Sequence, residues 1–342
     1  IAVIAIGNAT VGGTGKTPMS EYLIRRYLNQ GLRVAYLSRG YKRQSNGFVE
    51  VDPAQHTAEA VGDEALMVAT TFPAARIAVC ENRVQGAKAL ISAAPVDVLI
   101  LDDAMQHRRI HRDVNLCMID ASRPPWKDRV IPFGRLREPF RFVKKRSDFF
   151  IVTRFFESNR KRRFTKHINP KKTAFARLKS EKLIGFWPQT PALDIHDLTA
   201  RPMIAFSGLA NNHQFKTQLT DHNAMIIRFF SFKDHHQYSD RNIEMIVKRY
   251  RRVSRKNDVY KFDPIILTTE KDYMRLKDAG LLNDQLKDLP LYYLKVSLDF
   301  AGGKDKFDAL VDETVQRYAT RAQTGKDARD TGLYPEALSG AA

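Results

Sequence analysis

A glycine-rich segment near the start of the chain contains the residues with the clearest chemical potential. Residues 10–17 read Thr-Val-Gly-Gly-Thr-Gly-Lys-Thr, between the apolar run Ala2–Ile6 and an amphipathic stretch. Glycines let backbone N–H groups converge on phosphate oxygens, and a helix N-terminus adds a favourable dipole. We expect Lys16 to neutralise phosphate charge and Thr17 to bind Mg²⁺ through its hydroxyl. The segment therefore predicts a binding loop for a nucleotide such as ATP.

This loop departs from the common pattern G-x-x-x-x-G-K-[ST] at one position, because Thr10 stands where the first glycine is usual. The alternative interpretation is an accidental glycine-rich turn. The strand before the loop and the helix after it argue against that alternative. The residues that we expect to contact the nucleotide are Thr10, Val11, Gly12, Gly13, Thr14, Gly15, Lys16 and Thr17.

Two adjacent carboxylates follow a second apolar run. Residues 96–101 are mostly apolar, and Asp102 and Asp103 come directly after them. Because the carboxyl ends of parallel strands share one edge of a sheet, both side chains are expected beside the glycine-rich loop. They are predicted to bind Mg²⁺, directly or through its waters. The alternative role for either residue is to cap the following turn.

The elements that must position these residues alternate along the chain. Short β-branched runs separated by amphipathic stretches predict a parallel α/β sheet of the P-loop NTPase type. The predicted helices cover residues 17–30, 63–71 and 83–93. The predicted strands of the first part cover residues 2–6, 33–37, 77–80, 96–101, 115–119 and 148–153.

Composition changes divide the chain further. We predict an ATP-binding domain at residues 1–155, a connecting region at 156–200, a smaller α/β domain at 201–320 and a flexible tail at 321–342. The predicted strands of the smaller domain cover residues 203–206, 224–229, 264–268 and 291–293.

Bulk properties restrict the class of protein. Lys and Arg number 56 against 38 Asp and Glu, giving a formal charge of +18, which favours anionic partners. Cys80 and Cys117 both lie in apolar runs and are expected in the core, which fits a reducing compartment. No apolar run is long enough to span a bilayer. The chain begins at Ile1 without a methionine, so we expect residues upstream of it in the natural protein.

Six further motifs follow the loop in a fixed order. The motifs are Ser-Arg-Gly-Tyr at 38–41, Gly-Asp-Glu at 62–64, Leu-Asp-Asp-Ala-Met-Gln-His-Arg at 101–108, Pro-Phe-Gly-Arg-Leu-Arg-Glu-Pro at 132–139, Asp-His-His at 234–236 and Thr-Glu-Lys-Asp at 269–272. Together with the glycine-rich loop, this series resembles the tetraacyldisaccharide 4'-kinase family, the lipid A kinases of Gram-negative envelopes. The resemblance runs from Ile4 to about Asp272, and Thr10 is a feature shared with that family.

The resemblance implies transfer of the γ-phosphate of ATP to the 4'-hydroxyl of a tetraacyldisaccharide 1-phosphate, which gives lipid IVA. It also implies a peripheral location on the cytoplasmic face of the inner membrane. The family usually has a hydrophobic N-terminal segment that helps docking, which a chain beginning at Ile1 would lack. Basic clusters at 141–146, 160–163 and 248–256 are candidates for contact with anionic headgroups, although such clusters are also common on solvated surfaces.

The same resemblance implies a catalytic pair. Asp63 is the candidate base for the sugar hydroxyl, Glu64 is expected near the metal, and His235 is the expected partner of Asp63. Local sequence alone favours an ordinary helix cap for Asp63. His236 is an alternative to His235, since the two are adjacent.

Two other classes of protein stay open at this stage. A transport or partitioning ATPase would share the loop but would need a signature lysine early in it, and none occurs among residues 11–13. A nucleic-acid-binding protein would suit the charge, but basic residues interleaved with aromatics in a known module are lacking. We therefore expect no nucleic-acid partner.

Overall fold

The structure is a computed structural model. It forms two compact units. The first unit contains Ile1–Leu178 and Leu298–Ala342, and the second contains Lys179–Ser297. The residues that the structure describes are 1–155, 162–209, 211–255, 259–283 and 286–323.

Strands and helices alternate along most of the described chain. The strands are β1 (Ala2–Asn8), β2 (Val34–Ser38), β3 (Val49–Glu50), β4 (Arg76–Val79), β5 (Val98–Leu101), β6 (Val114–Asp120), β7 (Phe149–Thr153), β8 (Thr173–Gly185), β9 (Leu193–Asp194), β10 (Pro202–Ser207), β11 (Met225–Ser231), β12 (Ile265–Thr269) and β13 (Leu291–Gly302). The helices are α1 (Lys16–Leu28), α2 (Ala58–Val61), α3 (Asp63–Thr71), α4 (Arg83–Ala93), α5 (Phe140–Arg146), α6 (Arg162–Thr165), α7 (Asn212–Asp221), α8 (Asp240–Ser254), α9 (Glu270–Asp278) and α10 (Lys304–Gln323).

The first unit is built on a mostly parallel sheet. Its strand order is β8-β7-β6-β1-β5-β2-β4-β3, and only the short β3 pairs antiparallel. Every residue of β1, β2, β5, β6 and β7 is buried. Continuous apolar strands of this kind are expected where helices cover both faces of a sheet. Cys80 and Cys117 lie in this core as free, buried thiols, as predicted.

Polar side chains determine where several helices begin. The Asn82 side chain accepts hydrogen bonds from the backbone N–H groups of Val84 and Gln85 and so caps α4. Thr269 caps α9 by accepting from the N–H of Asp272 at 3.2 Å. Capping of this kind satisfies N–H groups that have no partner inside the helix.

Helix α10 completes the first unit from the far end of the sequence. The Tyr22 hydroxyl donates to Asp308 at 3.0 Å, and Arg26 donates to both Asp308 and Asp312. Phe307 is fully buried, 5.7 Å between ring centroids from Phe149. The C-terminal helix is therefore part of the core that also contains β1 and α1.

The second unit has its own parallel sheet. The strand order there is β11-β10-β12-β13, and β9 pairs antiparallel with β8. Helix α8 places Ile246, Val247, Tyr250 and Val253 in a core with residues of β10 and β12. A Ser239 capping box starts this helix.

The three predicted helices and all but one of the predicted strands are confirmed to within a few residues at each end. The exception is the strand predicted at 291–293, which is only the start of the longer β13. Residues 156–200, interpreted as a connection, include β8, α6 and β9, and the two units divide within β8. Of the predicted tail 321–342, the described part is 321–323, which ends α10; residues 324–342 lie outside the described residues. No helix in the described part is long and apolar enough to cross a membrane.

Candidate active site

The glycine-rich loop connects β1 to α1 and has an unusual backbone. Gly12 and Gly15 have φ angles of +100° and +87°, in the left-handed region that favours glycine. Gly15 is the N-cap residue of α1, and Lys16 begins the helix. The turn therefore needs glycine at these two positions in order to place Lys16 and Thr17 in the first helical turn.

The carbonyl groups of the loop are held by side chains around it. Asn8 Nδ2 donates to Gly12 O at 3.4 Å and to Thr14 Oγ1 at 2.9 Å. Thr153 Oγ1 donates to Thr14 O at 2.8 Å, and Arg154 Nη2 donates to Gly13 O at 2.9 Å. These contacts occupy side-chain and carbonyl oxygens of the loop, so they leave the N–H groups of residues 12–15 unused.

The N–H groups of residues 12–15 of the loop are available to a ligand. Within the described part of the chain, no hydrogen-bond acceptor contacts the backbone N–H of residues 12, 13, 14 or 15. Successive free N–H groups beside a helix N-terminus form an anion-binding concavity. This geometry suits the phosphates of a nucleotide.

Lys16 and Asp103 lie together at the helix end of the loop. The Lys16 ammonium is 3.6 Å from Asp103 Oδ1. Arg137 donates to both carboxylate oxygens of Asp103, each at 2.9 Å, in a bidentate pair. Burial opposes the charge on Asp103, but Lys16 and Arg137 outweigh it and lower the pKa of Asp103 below its ordinary value. Asp103 is therefore ionised at neutral pH.

Asp102 is in a different environment from its neighbour. Its side chain is buried, and the Tyr36 hydroxyl donates to Oδ2 at 3.1 Å. Oδ1 is buried and has no hydrogen-bond partner among the described residues. Burial raises the pKa of Asp102 to about 6, and the negative charge of Glu64 adds to the effect. Orphaned buried oxygens are rare, so this one is open to an external ligand.

Asp63 and Glu64 begin helix α3. Gly62, with φ +91°, is the N-cap residue, so Asp63 is the first helical residue and not the cap. Asp63 Oδ1 accepts from the Glu64 N–H at 3.1 Å. A Cβ on Gly62 would lie 3.3 Å from Gly40 Cα, which shows that the motifs at 38–41 and 62–64 pack closely.

The predicted metal ligands fit a magnesium ion that also binds phosphate. The described residues contain no cluster of three or more His, Cys, Asp or Glu side chains that could hold a metal alone. Mg²⁺, however, usually takes only one or two carboxylates and completes its shell with water and phosphate oxygens. The free Oδ1 of Asp102 and the Asp103 carboxylate supply such a pair, and Thr17 is buried in the adjacent helical turn.

His235 lies in the second unit, in a loop after β11. Its φ is +55°, a strained angle for a histidine, and strain of this kind is common at functional sites. Its Nδ1 is 3.3 Å from Arg275 Nη2, and its Nε2 is 3.9 Å from Asp234. His236 instead stacks on Phe232 and is hydrogen-bonded to Asn242 at 3.0 Å. The pairing of Asp63 with His235 joins residues of two units and stays a prediction.

The arginines outside the predicted site differ in their surroundings. Arg137 binds Asp103, as above. Arg83 is buried and donates to the carbonyl oxygens of Cys80 and Asp102, so it supports the end of β5. Arg39 and Arg108 are exposed.

Sequence reasoning assigned no role to several residues that contact the loop or Asp102. They are Asn8, Arg135, Thr153 and Arg154 at the loop and Tyr36 at Asp102. A signal existed for Thr153 and Arg154, because Thr153 ends β7 and Arg154 follows it, at the sheet edge where β1 and β5 also end. Arg154 pairs there with Asp120, the last residue of β6. Residues at the carboxyl ends of parallel strands are expected around such a site.

Comparison with known proteins identifies the family. A family model described as tetraacyldisaccharide-1-P 4'-kinase matches residues 1–316. A tetraacyldisaccharide 4'-kinase from Pelodictyon phaeoclathratiforme is 31% identical over 324 residues, covering 92% of this chain and 88% of that protein. One from Bacteroides thetaiotaomicron is 34% identical over 325 residues, covering 90% and 83%. The crystal structure of LpxK from Aquifex aeolicus in complex with ATP has a TM-score of 0.70 at 28% identity, covering 92% of this chain and 89% of that one.

These matches extend over both units. They confirm the P-loop kinase fold and favour a kinase over a transport or partitioning ATPase. The chain belongs to the tetraacyldisaccharide 4'-kinase family.

Proposed function

We propose that this protein transfers the γ-phosphate of ATP to the 4'-hydroxyl of a tetraacyldisaccharide 1-phosphate, as the names of its relatives suggest. The observation that carries the proposal is the loop at 10–17, with free N–H groups and with Lys16 beside Asp103. The similar Aquifex structure was solved with ATP, which supports ATP as the phosphate donor.

In this proposal the loop and Lys16 hold the phosphates of ATP. Phosphoryl transfer has a loose transition state, so catalysis comes mainly from positioning and from neutralising charge. Lys16 exchanges its contact with Asp103 for phosphate oxygens, while Arg137 continues to neutralise Asp103. The residues that would hold Mg²⁺ are Thr17, Glu64, Asp102 and Asp103, and the ion would supply positive charge against the phosphates.

Asp63 accepts the proton of the attacking hydroxyl in this scheme. Asp63 begins α3, and its neighbour Glu64 acts electrostatically on the Asp102 carboxyl, which supports this assignment. His235 orients Asp63 and shares the proton's charge. We also propose a peripheral location on the cytoplasmic face of the inner membrane, with the exposed basic side chains of α5 toward anionic lipid.

The test is an assay with ATP, Mg²⁺ and the detergent-dispersed disaccharide 1-phosphate, with mass spectrometry of the lipid. We expect a bis-phosphorylated product. Lys16→Ala and Asp63→Ala are expected to reduce turnover by about a hundredfold or more. Asp299→Ala, which removes an exposed ion pair with Arg177, is the matched control and should leave turnover unchanged.

Absence of the product with folded, ATP-binding protein would refute this acceptor. Near-normal turnover of Asp63→Ala would remove Asp63 as the base. A titration of activity against Mg²⁺ in the presence of excess ATP tests the metal: activity without any divalent ion would contradict its role.

A further inference from the structure

The loop that precedes α5 presents apolar side chains to solvent. Phe133 is 83% exposed and Ile131 is 49% exposed, and Pro132 lies between them. We call residues 131–133 the apolar tip. An exposed phenylalanine beside an exposed isoleucine is unusual on a protein surface that meets only water, and such patches mark interaction sites.

The apolar tip belongs to a tightly closed loop. Leu136 N–H donates to Arg129 O, and Ile131 N–H donates to Leu136 O, both at 2.9 Å. Phe133 N–H donates to Val130 O at 3.0 Å, and a Cβ on Gly134 would lie only 2.3 Å from Arg129 O. The backbone therefore holds the exposed ring in position, so its exposure is a property of the fold.

The same loop is tied to the phosphate-binding loop. Val11 N–H donates to Arg135 O at 2.8 Å, and Arg137 N–H donates to Ala9 O at 2.9 Å. Thr10 and Leu136 form an antiparallel bridge between these contacts. The apolar tip is therefore only two to six residues in sequence from Arg135, Leu136 and Arg137, which contact the phosphate-binding loop directly.

The surroundings of the apolar tip are strongly basic. Residues 123–146 contain nine Lys and Arg against two Asp and Glu, a net charge of +7. Asp128 accepts from the backbone N–H groups of Arg129 and Arg135, and Glu138 pairs with Arg146. Within the described chain, no carboxylate lies within ion-pair distance of the exposed residues Arg123, Lys127, Arg129, Arg141, Lys144 and Lys145.

We propose that the apolar tip inserts into the interfacial region of an anionic lipid bilayer, with the neighbouring cations at the headgroups. Aromatic side chains combined with Lys and Arg are the composition of interfacial membrane contacts, and each cation near such a surface strengthens binding. The net charge of +7 favours this occupant over an uncharged or basic protein surface. The proposal deepens the proposed function, since a membrane-embedded acceptor must be reached from the bilayer.

The experiment is co-sedimentation of the whole protein with vesicles, without ATP. Vesicles of phosphatidylcholine and phosphatidylglycerol in equal parts are compared with vesicles of phosphatidylcholine alone. Phe133→Ser is expected to weaken binding to the anionic vesicles about tenfold, as loss of one buried aromatic side chain predicts. Val259→Ser is the control, because Val259 is 78% exposed in the second unit, and it should bind as wild type.

Two readouts keep the test decisive. Phe133→Trp should shift its fluorescence to shorter wavelength with anionic vesicles, and the absence of a shift would overturn the proposal. Wild-type vesicle binding by Phe133→Ser would also overturn it, whether or not that variant shows a raised KM for the lipid acceptor. A dimer that depends on Phe133 in sedimentation without lipid would overturn it as well. Vesicle binding requires no turnover, so failure of the kinase assay would leave this result intact.

Discussion

The Tyr36 hydroxyl, in the middle of β2, donates a buried hydrogen bond of 3.1 Å to Oδ2 of Asp102, the residue that follows β5. This bond favours the ionised form of a carboxylate that burial and Glu64 both disfavour. The other oxygen, Oδ1, faces no partner among the described residues. Tyr36 thus determines which oxygen of Asp102 is left for an incoming ligand.

We predict that kcat/KM falls as pH is lowered through about 6, which gives the pH profile an acidic limb. The reason is that the pKa of Asp102 is raised to about 6, and protonation of the carboxyl prevents Oδ1 from binding a ligand. Tyr36→Phe should move this limb to higher pH, since it removes a bond to the charged form. Tyr27→Phe is the matched control: its hydroxyl is also buried but has no hydrogen-bond partner in the described structure. An unshifted limb in Tyr36→Phe would contradict this prediction.

The same carboxyl affects stability in a defined direction. The folded protein binds this proton more tightly than the unfolded chain does, because the folded pKa lies above the ordinary value of 3.8. The contribution of Asp102 to the free energy of unfolding should therefore fall as pH rises from about 4 to about 6. Comparing urea unfolding of wild type and Asp102→Asn across this range measures it, and a contribution that rises with pH would be the wrong sign.

Arg137 is predicted to keep Lys16 available for phosphate. It binds both oxygens of Asp103, so its loss would leave Asp103 to pair with Lys16 alone. Arg137→Ala should weaken ATP binding about tenfold, measured by calorimetry without the lipid acceptor. Arg177→Ala removes an exposed arginine–aspartate pair of the same unit and should bind ATP as wild type. Equal ATP affinity in the two variants would exclude this role.

Gly15 and Gly31 form a matched pair for testing the loop. Both have positive φ, +87° and +75°, so alanine at either position costs about 1–2 kcal/mol in the backbone. A Cβ at Gly15 would also meet Thr153 Cγ2 at 3.2 Å, whereas a Cβ at Gly31 meets nothing within 4 Å. Thermal unfolding should show both variants destabilised, but only Gly15→Ala should lose ATP affinity. Loss of affinity in both would mean that general destabilisation is responsible.

The two adjacent histidines are expected to separate in function. His235→Ala should lower kcat with little change in the unfolding temperature. His236→Ala should lower the unfolding temperature, because this ring stacks on Phe232 at 4.6 Å and bonds to Asn242. Turnover and thermal unfolding of both variants, measured in parallel, provide the test. The reverse result would assign the catalytic role to His236.

The sequence predicted the sheet well because the strands of both units are short apolar runs with clear ends. It missed β8, whose second half alternates toward solvent and has polar residues at 179–182 that suggested a connection. It also interpreted residues 248–256 as a basic surface, whereas 248–254 are the end of α8, where Tyr250 and Val253 are buried. The many charged residues on the exposed face of α8 made its buried apolar face difficult to recognise in the sequence.

The candidate site was predictable where a motif encodes the chemistry, as in the glycine-rich loop and the pair Asp102 and Asp103. The different environments of those two carboxylates were not predictable. They depend on Tyr36 and Arg137, which reach the pair from β2 and from the loop before α5, more than 30 residues away in the sequence in each case. Contacts between segments that are distant in sequence produce no local sequence pattern from which they could be predicted.

Helix α10 has a consequence for how the protein is made. Its Phe307 and Val311 are fully buried in the first unit, and Asp308 and Asp312 bind Arg26 on α1. A ribosome that has synthesised the nucleotide-binding loop must therefore also complete the whole second unit before the first can close its core. Until then, the apolar surface destined for α10 stays open on the nascent chain, at the stage where a chaperone would meet it.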